Sequence, residues 1–116
     1  MPDAPLACRI DALDGDQRKR HATLLSELAA AVTGIEELPD GVSVRFPMRP
    51  YLFLRLAEWM DLERACCPFL DFGLVFENRV PTMRLDLRGP DGVKEFLRAE
   101  LPFAAAPVAP VAPVAP

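Results

Sequence analysis

Glu63-Arg64-Ala65-Cys66-Cys67-Pro68-Phe69 brings two of the chain's three cysteines next to an acid within one short stretch. On a helix turning about 100° per residue, Leu52, Leu56, Trp59, Met60, Glu63, Cys66 and Cys67 share one face, and all but Glu63 are apolar or carry a thiol. A lone carboxylate there loses its hydration at a cost of about 2 to 7 kcal/mol unless something pairs with it. The expected partner is an arginine from a strand or whatever the thiols bind.

Adjacent cysteines on a helix splay about 100° apart, so two inward-pointing thiols beside Glu63 offer two soft ligands and one hard one. Packing alone explains many cysteines, since the free thiol is among the most buried side chains. That suffices for Cys8 by itself, but less well for an adjacent pair. Metal-free thiolate chemistry is disfavoured, because the partial negative charge at a helix C-terminus and the Glu63 carboxylate both raise thiol pKa values. A bound soft cation reverses the balance by deprotonating the thiols and neutralising the acid. The residues therefore point to a site for a soft metal or metalloid, of the Zn, Cu or Hg class. Cys66, Cys67 and Glu63 are its ligands, with Cys8 joining them if the N-terminal lead-in folds over the helix end. Two rivals use the same chain differently. A thiol-dependent redox or organometal-detoxifying enzyme would have Cys66 and Cys67 attack and resolve while Glu63 moves a proton. A structural or interaction module would keep the cysteines in the core and present Arg45, Arg84, Asp86 and Arg88 to a partner or to a second copy in a homodimer.

Composition narrows the setting. With 116 residues, 51% of them hydrophobic, the chain has material for one domain with a modest core. A net charge of −4 and the lack of a basic stripe argue against nucleic-acid and anionic-membrane partners. No apolar run is long enough to cross a bilayer, and Met1-Pro2-Asp3-Ala4-Pro5 has neither the basic nor the hydrophobic region of a signal peptide, so a cytoplasmic protein is expected. In that reducing setting an odd number of cysteines is no disulfide framework.

The elements that must hold the site follow from the spacing of apolar residues. Asp14 reads as an N-cap with Gln17 closing a capping box, and a first helix is expected to about Gly34 through Leu24, Leu25, Leu28 and Val32. His21, one turn before Leu25, reads as a surface or half-buried residue capping the core. After the Leu38-Pro39-Asp40-Gly41 turn, Val42, Val44 and Phe46 alternate as a strand over 42–46. Pro50 opens the second helix, and Pro68 ends it near Cys67. Strands over 71–77 and 82–88 form a hairpin, and a third helix spans 90–101. The expected fold is α+β, a two-layer sandwich of order αβαββα with a three-stranded, mainly antiparallel sheet and three helices on one face. From residue 102 the Ala-Pro-Val repeat reads as an extended appendage to a domain of residues 1–101.

Glu63-Arg64-x-Cys66-Cys67-Pro68-Phe69-Leu70, Gly89-Pro90-x-Gly92-Val93-Lys94-Glu95-Phe96-Leu97 and Leu38-Pro39-Asp40-Gly41 resemble segments of a set of small, functionally uncharacterised bacterial proteins, a resemblance covering about residues 6 to 101. It implies a cytosolic bacterial domain of this size with Cys-Cys-Pro-Phe as its hallmark.

Overall fold

The computed structural model of the chain describes residues 6–101, and in it two β-hairpins join edge to edge under three helices. Helix α1 (Gly15–Ala31) precedes strands β1 (Gly34–Leu38) and β2 (Gly41–Pro47); helix α2 (Pro50–Cys66) leads to strands β3 (Asp71–Glu77) and β4 (Thr82–Arg88), and helix α3 (Val93–Glu100) closes the order. The sheet runs β1-β2-β4-β3 with every neighbouring pair antiparallel. The expected Ala-Pro-Val appendage lies outside the described residues.

The caps form where the side chains demand them. Gln17 N–H donates to Asp14 Oδ1 at 2.8 Å while Asp14 N–H donates to Gln17 Oε1 at 2.9 Å, a reciprocal pair that satisfies two amides at the start of α1. Pro50 occupies the first turn of α2, where its missing N–H costs nothing. Gly92 takes a φ of 92° immediately before α3, a left-handed conformation that side chains with a Cβ adopt only at a cost.

The α+β class and three helices agree with the sequence reading, but the sheet has four strands and the order is αββαββα. The additional strand is β1. Gly34-Ile35-Glu36-Glu37-Leu38 buries only Ile35 and puts two glutamates in succession, so its pattern has neither the strand nor the helix period. Tertiary partners define it instead. Thr33 N–H donates to the Arg45 carbonyl at 2.8 Å, which draws the chain out of α1 at Ala31, short of Gly34. Glu37 meets Lys94 and Arg98 from α3, both at 3.1 Å. Helix α3 likewise starts at Val93 rather than at residue 90, because residues 90–92 are spent turning the chain.

One face of the sheet is the floor of the core. Val42, Val44 and Phe46 stand opposite Leu87, Leu85 and Met83, and all six are buried. Above them α1 contributes Leu24 and Leu28, α2 contributes Leu56 and Trp59, and α3 contributes Val93, Phe96 and Leu97. The opposite face is a charged lattice: Glu77 meets Arg45 at 3.3 Å and Arg84 at 3.6 Å, Asp86 meets Arg84 at 3.2 Å, and the Ser43 hydroxyl donates to Asp86 at 2.7 Å. Arg88 pairs with Asp40 in the β1–β2 turn. The charges that the sequence offered to a partner thus satisfy one another within the chain. Among the described residues no helix is long and apolar enough to cross a membrane.

Register at the β2–β4 junction depends on Gly41. A Cβ there would stand 1.8 Å from the Leu87 carbonyl oxygen, and that obstacle is backbone. Gly41→Ala should therefore destabilise the fold by more than about 3 kcal/mol, far beyond an ordinary surface substitution, as read by urea unfolding.

Candidate metal centre

The site forms where α2 runs out. Leu52, Leu56, Trp59, Glu63 and Cys66 are the buried stripe of this helix, as its apolar spacing requires, and Met60 is half-buried at its margin. Pro68 ends the helix. Cys67 sits at the cap with φ −126° and ψ 70°, its N–H donating to the Glu63 carbonyl at 2.7 Å. That last turn directs both thiols inward, leaving Cys66 and Cys67 fully buried and their sulfurs 3.9 Å apart.

The lead-in folds over this end, as a third ligand would require. A helix leaves its last carbonyls without internal partners, and the Arg9 N–H takes one of them, donating to the Cys66 carbonyl at 2.6 Å. A short 3-10 turn at Ile10–Ala12 and the buried Leu13 then carry the chain into α1. Cys8 is thereby placed beside the pair. The thiols of Cys8, Cys66 and Cys67 and a Glu63 carboxylate oxygen all lie within 4.8 Å of one another, with Cys8 half-buried and the other three buried. All four residues that the sequence nominated as ligands meet in one cluster.

Glu63 is 2% exposed and its partner is a histidine. Glu63 Oε2 lies 2.5 Å from His21 Nε2, and Oε1 accepts the Cys67 thiol at 3.0 Å. Neither the strand arginine expected as partner nor the core-capping role expected for His21 is what the fold uses. His21, Leu24 and Leu28 form the buried stripe of α1, at intervals of three and four residues, so His21 belongs to the face that meets α2 rather than to its edge. That spacing was the available signal. The imidazole also lies over Trp59, ring centroids 6.4 Å apart with 27° between planes, which fixes the ring that orients the acid.

Burial first, then contact with Cys8 and the nearby Glu63 carboxylate, push the Cys66 thiol from its ordinary 9.0 up to about 12. For Cys67, burial leads again, followed by its hydrogen bond to Glu63 and the charge of that acid, and the thiol is held well above its usual range. Without a cation both sulfurs stay protonated at neutral pH. They are poor nucleophiles in that form, as the sequence reading anticipated. A cation that entered the cluster would displace the thiol protons and find three sulfurs and one oriented carboxylate oxygen.

No protein-family profile, curated protein or solved structure matches this chain.

The raised Cys66 pKa makes stability depend on alkaline pH with a definite sign. The native state favours the thiol over the thiolate, so this stabilisation is full below the ordinary pKa of 9.0 and is lost as pH climbs through about 12. Urea unfolding of the metal-free protein should show stability falling across that window, and Cys66→Ala should show less of the fall. Glu63→Gln removes the charge shared by His21 and Cys67, and should cost about 1 to 3 kcal/mol in the same assay. An unchanged midpoint would mean that Glu63 is held by water rather than by these partners.

Proposed function

We propose that this protein binds a single soft metal or metalloid ion through Cys66, Cys67, Cys8 and Glu63. The observation that carries this reading is the convergence of three thiols and a buried carboxylate on one point from two separate parts of the chain. A regular tetrahedron of thiolates with metal–sulfur bonds of about 2.3 Å has its sulfurs about 3.8 Å apart, and the Cys66 and Cys67 sulfurs are 3.9 Å apart already. His21 plays the supporting part that ligating carboxylates generally need, holding Glu63 from the side away from the thiols. Thiols dominate the donor set, which selects thiophilic cations over magnesium or calcium.

A second reading draws support from the continuous line Cys67–Glu63–His21. As the Cys67 thiol binds the metal of an organometal, Glu63 can take its proton and pass it to the departing carbon; the carbon–metal bond breaks, its electron pair takes the proton, a hydrocarbon leaves and the metal remains on the two sulfurs. Release of hydrocarbon from an organomercurial, abolished in Glu63→Gln, would favour this enzyme over simple capture.

Ligation needs thiolates, whereas packing needs only volume, and the test uses that difference. Titrated with zinc against a competing chelator under reducing conditions, Cys66→Ser and Cys67→Ser should each bind more than about tenfold more weakly, roughly 1.4 kcal/mol. Cys8→Ser should lose affinity too, since the lead-in is docked at the site. Native mass spectrometry should report one ion per chain. Wild-type protein that binds neither zinc nor mercury more tightly than about micromolar would refute the proposal.

A further inference from the structure

β3 is an edge strand, and two of the exposed large hydrophobic residues of the fold, Val75 and Phe76, stand on it. An edge strand turns the N–H and C=O of alternate residues outward, ready to pair with another strand. The other edge, β1, is guarded: Glu36 and Glu37 stand in its middle, so a second β1 laid against it antiparallel would set glutamate near glutamate. No such guard stands in β3, where Gly73-Leu74-Val75-Phe76 carries no charge. Val75 is 37% exposed, Phe76 50%, and Leu54 on the flanking helix α2 61%. Beside them a shallow groove between α2 and β3 is lined by Ala57, Met60, Phe72 and Leu74, with Asp61 and Arg64 at its rim.

The charges at the two ends of this edge indicate what covers it. Asp71 at the start of β3 and Arg79 in the turn beyond it make no ion pair among the described residues, whereas Glu77, Arg84 and Asp86 on the same hairpin are paired. They have opposite sign and stand at equal distance in sequence from Val75. We propose that β3 pairs antiparallel with β3 of a second copy, about a two-fold axis through Val75, so that the two sheets become one. Val75 then faces itself and Leu74 faces the second copy's Phe76 on the helix side. At each end of the ladder Asp71 meets the second copy's Arg79. An isologous contact requires such self-complementarity, and a shift of register by two residues either way breaks it. One alternative register, about Leu74, sets Asp71 against Glu77 and is disfavoured by like charge.

The full-length protein, kept reduced and in the presence of a chelator so that neither disulfide nor metal can link copies, should sediment as a dimer at tens of micromolar. Val75→Glu places a carboxylate against its own copy at the axis while remaining next to Arg84, its cross-strand neighbour in β4, so it should yield a folded monomer with an unchanged circular dichroism spectrum. Asp71→Arg alone should weaken the dimer more than about tenfold, and combining it with Arg79→Asp should restore it. The charge exchange decides the matter if Val75→Glu proves unfolded. A wild-type monomer at these concentrations, or a dimer indifferent to both the single and the double exchange, would overturn the proposal.

Discussion

A carboxylate buried among apolar side chains has to be paired, and the cost of leaving Glu63 unpaired organises much of this molecule. Its side chain lies beneath the α1–α2 junction, where only an element packed directly on α2 can reach it. That element is α1, and the residue is His21, which is why a polar ring stands in a stripe otherwise made of leucine. Leaving one partner of such a buried hydrogen bond unsatisfied generally costs about 1 to 3 kcal/mol, as much as many core truncations. The packing of the two helices and the orientation of the acid are thus one constraint. The Arg20–Glu58 and Arg55–Glu27 pairs that flank the same junction are solvent-exposed, and pairs of that kind contribute little.

The consequence for the thiols is electrostatic. Glu63 directs one oxygen at His21 and the other at Cys67, so a negative charge and two desolvated sulfurs share one enclosure. Such a cluster keeps its thiols protonated when it is empty, and a cation that bound there would displace those protons, so proton release would be the signature of loading. Cys8 alone of the four is half-exposed, and the segment bearing it is tied to α2 by the bond from Arg9 to the Cys66 carbonyl.

Much of this architecture could be read from residue spacing because it is local. The reciprocal cap of Asp14 and Gln17, the proline start of α2, its stop at Cys67 before Pro68 and the β3–β4 hairpin each rest on interactions within a few residues. So does the placement of Glu63 on the apolar face. What stayed hidden depends on contacts between distant segments. Strand β1 exists because Arg45 and α3 recruit it, not because Gly34-Ile35-Glu36-Glu37-Leu38 has a strand's alternation. The partner of Glu63 lies forty-two positions away, and no periodicity within one helix identifies a residue on another. Cys8 reaches the cluster only because the lead-in satisfies the orphan carbonyl at the end of α2, a contact that residue spacing does not show.

Whether these four residues act as one ligand set is settled most directly by X-ray absorption at the zinc edge of the zinc-loaded protein. The account predicts three sulfur neighbours at about 2.3 Å and one light-atom neighbour at about 2.0 to 2.2 Å, the thiolates of Cys8, Cys66 and Cys67 with Glu63. A shell made only of nitrogen and oxygen would contradict it, because zinc would then be bound elsewhere on the chain.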